Sequence, residues 1–232
     1  MATIVLICAP KGGVGKTTLA TNVAVAAAVT GLRVAGLDFD SQKAFALWGQ
    51  DRDQLTGKLV PAAQVEVVAG HLQDWREHIR LLRHHDVLVI DTPPRVDDPE
   101  VSLALQQIGD EAGIILMPVE VYRPSIKFVA EFMSLWWPNR AERPIFVLNK
   151  TIAGRLLLRE AQTELASVGR LWRETIPLRD DLSRLLDLGL GAKDSPSYPC
   201  GELFAQLWTE CAATVRLPVP AGAYLEVAEA AL

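Results

Sequence analysis

The sequence predicts an α/β protein: a doubly wound, mostly parallel sheet with helices on both faces. Three observations carry this. Short apolar runs recur along the chain with helical patterns between them, in β-then-α order. The runs are continuous in Val, Ile and Leu rather than alternating, which marks strands covered on both faces. A glycine-rich segment joins the first run to the first helical pattern, the setting a phosphate-binding loop requires.

The elements follow in order. The first strand is Thr3–Cys8 and the first helix Lys16–Thr30. Strand Arg33–Asp38 leads to helix Gln42–Gln50, strand Val65–Ala69 to helix Leu72–His84, and strand Asp86–Asp91 to helix Pro99–Ile108. Strand Gly113–Val119 precedes helix Ser125–Trp136, and strand Pro144–Asn149 precedes helix Leu156–Ser167. A weaker strand at Leu171–Ile176 leads to helix Arg179–Leu188, and Gly201–Val215 is a last helix with no strand after it. Asp51–Ala63 and Gly189–Cys200, rich in Gly, Pro, Ser and Asp, are expected to be irregular. One domain is expected over residues 1–216, because cores of this size rarely split. A tail follows at 217–232.

Half of the 232 residues are hydrophobic and 22% are charged, which excludes a disordered composition. The formal net charge of −5 argues against a protein coated in positive charge for nucleic acid, but leaves room for a local basic face. Apolar stretches such as Val23–Val29 fall far short of the roughly 18 residues a membrane span needs. The first residues lack the basic start of a signal peptide, so a cytoplasmic protein is expected. Cys8, Cys200 and Cys211 show neither a close pair nor metal spacing, and read as buried or incidental thiols.

Chemistry enters at Lys11-Gly12-Gly13-Val14-Gly15-Lys16-Thr17-Thr18. Glycines let the backbone turn so that successive N–H groups face inward, and those donors with the helix N-terminus hold phosphate oxygens. Lys16 adds a point charge at the β and γ phosphates, Thr17 offers its hydroxyl to Mg²⁺, and Thr18 offers one to the α phosphate. Two strand ends add acids: Asp38 and Asp40 after the second strand, and Asp91 closing Val87–Asp91. In a parallel sheet these acids share the carboxyl edge, where ligands bind. Asp91 is expected to hold Mg²⁺ through water, since that ion takes few protein ligands. Asp38 and Asp40 could instead merely cap the next helix.

The phosphate loop departs from G-x-x-x-x-G-K-[ST] by Pro10 in place of the first glycine, and carries Lys11 five residues before Lys16. This K-G-G-x-G-K-T-T form resembles the ParA/MinD-like family of deviant Walker A ATPases, over about Thr3 to Arg216. The resemblance implies ATP and Mg²⁺ as ligands and an ATP-dependent homodimer in which Lys11 reaches the partner's phosphates, a cation supplied in trans. It implies that Asp40, the second acid of a D-x-D-P-Q-like segment, positions the attacking water, with Asp38 helping to hold the Mg²⁺ shell or the turn. Here Ser41 replaces the family's proline, which puts the stiffness of that turn in question. It also implies that Asn149 faces the adenine and that Pro177 brings backbone to the purine.

Within the family the sequence is most similar to small, ParF-like ParA proteins, since the loop begins too early for a preceding DNA-reading domain. That implies non-specific DNA binding and a ParB-like or other small partner that stimulates hydrolysis. DNA contacts are expected from late basic residues, foremost Arg155, Arg159, Arg173 and Arg184, although residues 151–193 hold seven basic against six acidic groups. A MinD-type membrane switch is disfavoured because the tail has no Lys or Arg, so no membrane partner is expected. A cluster-binding ATPase lacks suitable cysteines, and a metabolic ligase lacks a distinctive substrate motif. Arg80, Arg83, His84 and His85 form another small basic run before the strand at Asp86, open to reading as a second basic patch or as mere shielding of that strand end. The Trp136–Trp137 pair cannot face one core stripe together.

Overall fold

The computed structural model describes residues 2–55, 63–94, 98–136, 144–154, 156–194, 197–198 and 200–217. Arg155, Trp137 and the tail from 218 therefore lie outside the described residues. Seven strands form one sheet: β1 (Thr3–Ile7), β2 (Val34–Asp38), β3 (Val65–Ala69), β4 (Val87–Asp91), β5 (Ile114–Glu120), β6 (Pro144–Thr151) and β7 (Arg170–Pro177). Their order is β3-β2-β4-β1-β5-β6-β7, and every described pairing is parallel. The chain thus starts in the middle of the sheet, winds outward to β3, and then outward the other way to β7. The strand order reverses beside β1, the place where open α/β sheets bind ligands.

Successive strand residues point to opposite faces, and the two faces carry two cores. Val5, Ile7, Val87, Val89, Leu116 and Val147 meet α1 (Lys16–Ala28), α2 (Ala44–Leu55), α7 (Asp180–Asp187) and α8 (Cys200–Thr214). Leu6, Leu88, Ile90, Ile115, Met117, Phe146 and Leu148 meet α3 (Trp75–Leu82), α4 (Pro99–Glu111), α5 (Arg123–Trp136) and α6 (Leu156–Val168). Helix α1 is buried nearly all round, from Leu19 to Ala28. Its alanines and valines let α8 lie close on it, as an apolar central helix requires.

The strands stand where the sequence places them, within a residue or two. Two helices differ. The expected helix Leu72–His84 begins as a single 3-10 turn, Leu72–Asp74, before α3. Helix α2 runs on to Leu55, through residues 51–55 that composition marks as irregular. Arg52 is the reason. Its guanidinium is buried, donates to the carbonyls of Ala63 and Gly189, and pairs with Asp194 at 2.7 and 3.0 Å. Asp194 also accepts from the Gly191 amide at 2.8 Å, so one ion pair ties α2 to the loop before α8. All three cysteines are buried and free, and burial pushes the Cys8 and Cys211 thiols up to about 12, which makes them inert.

Candidate functional site: a phosphate loop at the carboxyl edge of the sheet

The segment between β1 and α1 turns through two glycines in the left-handed region, Gly13 (φ 74°) and Gly15 (φ 92°). A side chain at Gly15 would also collide with the Asn149 amide. The loop is held from the end of β6. Asn149, buried, donates through Nδ2 to the Val14 carbonyl at 2.8 Å, and Lys150 donates through Nζ to the Gly13 carbonyl at 2.6 Å. A trans peptide sets its N–H opposite its C=O. Tying the Gly13 and Val14 carbonyls to β6 therefore turns the amides of Val14 and Gly15 the other way, as an anion-binding concavity requires. Lys150 itself has φ 54°, uncommon for a side-chain-bearing residue, and keeps it to reach the loop.

Lys16 opens α1 and is buried, and burial lowers its pKa while Asp91, Asp40 and Cys8 oppose that. Thr17 donates its hydroxyl to Asp91 Oδ2 at 2.6 Å. Asp91 is buried at the end of β4, its other oxygen accepting from the Thr92 amide at 3.0 Å. Burial above all, with the charge of Asp38 and Asp40, holds its carboxyl up at about 7, against the Thr17 hydroxyl and Lys16. The Thr17 and Asp91 oxygens form a hard, all-oxygen donor pair beside the loop, and that set fits Mg²⁺.

Asp38 closes β2 and is buried. Its Oδ1 accepts from the Asp40 amide at 2.9 Å and its Oδ2 from the Ala46 amide at 3.0 Å. Asp40 Oδ1 accepts from the Gln42 amide at 2.9 Å, and Lys43 Nζ donates to the Gly70 carbonyl at 2.9 Å and the Asp38 carbonyl at 3.3 Å. These bonds brace the turn that carries Ser41 in place of proline. Lys11, 43% exposed, rests at the end of β5, its ammonium 3.9 Å from Glu120 and 4.8 Å from the centre of the Tyr122 ring. Asn149 and Pro177 come to the same sheet edge, where Thr151 pairs with Pro177 and accepts the Leu178 amide.

Among the described residues the expected arginines are not gathered into one patch. Arg159 lies on α6 and Arg184 on α7, which cover opposite faces of the sheet, while Arg173 is exposed on the edge strand β7. Lys150, Lys43, Glu120 and Tyr122 are site residues that sequence reasoning missed. For Lys150 the available signal was its place beside Asn149 at a strand end. The others carry no local pattern.

The chain matches the model of the CobQ/CobB/MinD/ParA nucleotide-binding domain over residues 5–191. It belongs to this family. It is 30% identical to the maintenance of carboxysome distribution protein A of Halothiobacillus neapolitanus over 166 residues, which is 68% of this chain and 71% of that protein. Its fold is that of the cell-division protein MinD from Aquifex aeolicus, with a TM-score of 0.72 at 17% identity, covering 91% of this chain and 98% of that one. It is also similar to pNOB8 ParA bound to nonspecific DNA, with a TM-score of 0.60 at 15% identity, covering 93% of this chain and 99% of that one. The chain is thus a ParA/MinD-type nucleotide-binding protein with partition and positioning relatives. Among the described residues no helix is long and apolar enough to cross a membrane.

Proposed function

We propose that this protein is a ParA-type ATPase that binds ATP and Mg²⁺, dimerises around the nucleotide, and positions a cargo, such as a plasmid, a chromosome or a protein compartment. The observation that carries the reading is the convergence, on one sheet edge, of the braced loop, Lys16, the Thr17–Asp91 pair and Asp40, with Lys11 half-exposed beside them. The amides of Gly12, Gly13, Val14 and Gly15 and the hydroxyl of Thr18 hold phosphate oxygens, and Asn149 and Pro177 border the base. Mg²⁺, when bound by Thr17 and through water by Asp91, neutralises charge on the β and γ phosphate oxygens. Asp40 orients the attacking water, its carboxylate placed by Asp38.

Support for dimerisation comes from the same edge. Tyr122, Ile152 and Leu178 are large, exposed apolar residues just beyond β5, β6 and β7. A second copy would cover them and receive Lys11. The domain spans residues 1–216. DNA is the proposed track, held without sequence reading by Arg173 and Arg159, with Arg184 and Arg155 nearby in the sequence. A ParB-like or other small partner stimulates turnover. A MinD-like or other ATPase of the same family that does not use DNA is the second reading, supported by the likeness of the fold to MinD.

The test is a DNA-binding titration at two salt concentrations, with and without ATP, on the wild type and Lys16→Ala. Binding that needs ATP, falls steeply with salt and is lost in Lys16→Ala is expected. Nucleotide binding without DNA binding at low salt would select the second reading.

A further inference from the structure

The amino edge of the sheet, opposite the phosphate loop, carries a cluster that nucleotide binding does not use. Glu66 on β3 and the pair His84 and His85 after α3 each bring one ligand atom to within 4.8 Å of the others. Glu66 sits beside Ala35 of β2, and His85 lies two residues before β4, so the cluster spans the amino end of β2.

The hydrogen bonds orient both rings. His84 Nδ1 lies 3.1 Å from the Leu81 carbonyl and His85 Nδ1 lies 3.2 Å from the Leu82 carbonyl, at the last turn of α3. A carbonyl only accepts, so each ring turns an Nδ1–H to the helix end and leaves Nε2 as the nitrogen that faces other partners. His85 Nε2 faces Glu66 Oε2 at 3.3 Å. The rings lie 4.2 Å apart at 40°. Asp86 does not join, since its carboxylate is spent on the Arg33 amide and guanidinium at 2.8–3.1 Å. The carbonyl end of a helix favours a cation.

We propose that Glu66, His84 and His85 form a site for a first-row divalent metal ion, Zn²⁺ foremost, with a further position open to water. Imidazole with carboxylate suits Zn²⁺, Ni²⁺ or Cu²⁺ and not Mg²⁺. A 3.3 Å separation is the edge of a tetrahedron around an ion about 2.0–2.1 Å from each ligand. Imidazoles that bind metal typically donate their other N–H to a carbonyl or carboxylate, and both rings here do so. The ion would clip the edge strand β3 to the junction of α3 and β4.

The experiment uses the tag-free, nucleotide-free chain, stripped of metal with a chelator and titrated with Zn²⁺ against a chromophoric indicator. Co²⁺ serves as an absorbing substitute. One saturable ion per chain is expected, with affinity lowered about tenfold or more in His84→Ala and in Glu66→Gln, and unchanged in Lys16→Ala. Both test residues are exposed, so these variants should fold, and circular dichroism checks that. Absence of saturable Zn²⁺ binding would mean that only a proton bridges His85 and Glu66. Equal affinity in the wild type and both variants would place the ion elsewhere. Either result overturns the proposal.

Discussion

The Lys150 ammonium lies 2.6 Å from the Gly13 carbonyl, so a residue 137 positions away in sequence braces the phosphate loop. With Asn149 on the next carbonyl, it aims the loop's amides. Lys150→Ala should weaken nucleotide binding by about three- to tenfold, the net worth of one ordinary hydrogen bond, since this one is exposed to solvent. Lys150→Arg should recover part of it. Asn149→Ala leaves the Val14 carbonyl of that buried bond unpaired, and should also lower stability by about 1–3 kcal/mol. Calorimetric nucleotide titration and urea unfolding separate the two effects. Unchanged affinity in both variants would show that the loop holds its own shape.

Asp40 and Asp38 should fail differently. Asp40→Ala is expected to bind ATP and dimerise but to turn over far more slowly, by about a hundredfold or more if it orients the water. Asp38→Ala should lose stability as well, because two backbone amides lose their acceptor. Single-turnover hydrolysis alongside thermal melting reads both. A normal rate in Asp40→Ala would reduce Asp40 to its bond with the Gln42 amide.

The Arg52–Asp194 pair should dominate the stability of the α2 face. Removing one partner of a buried ion pair typically costs about 3–5 kcal/mol, and Arg52→Ala also strands the carbonyls of Ala63 and Gly189. Arg52→Lys should rescue little, since one ammonium cannot match the forked contacts. Denaturant unfolding of the two variants checks this.

Stability should depend on pH through Asp86. Arg33 holds its carboxyl down at about 2, from an ordinary 3.8. A depressed acid stabilises the fold above its unfolded value, and that contribution disappears as pH falls from about 4 to 2. Arg33→Ala should therefore melt lower than the wild type at pH 7, with the gap closing as pH falls from about 4 through 2. A constant difference in melting temperature across that window would remove the pair as the cause.

The strands, the doubly wound class of the fold and the phosphate loop were legible in the sequence because their determinants are local. Buried parallel strands write themselves as short apolar runs, and a left-handed turn before a helix demands glycine at Gly13 and Gly15. The acids Asp38, Asp40 and Asp91 could be placed at the carboxyl edge because each closes or follows a strand. Even the three cysteines read correctly as buried thiols.

Tertiary structure decided what joins residues far apart in the chain. Spacing could not show that Asn149 and Lys150 grip the loop, that Arg52 meets Asp194 across 142 positions, or that Asp38 spends both oxygens on the turn. Nor could it show that α6 and α7 carry Arg159 and Arg184 to opposite faces of the sheet, or that Glu66 meets the pair His84 and His85. The physical reason is common to all of them. Local pattern sets whether a segment becomes strand, helix or turn, while a hydrogen bond or ion pair between distant segments depends on the register and packing that the whole sheet imposes.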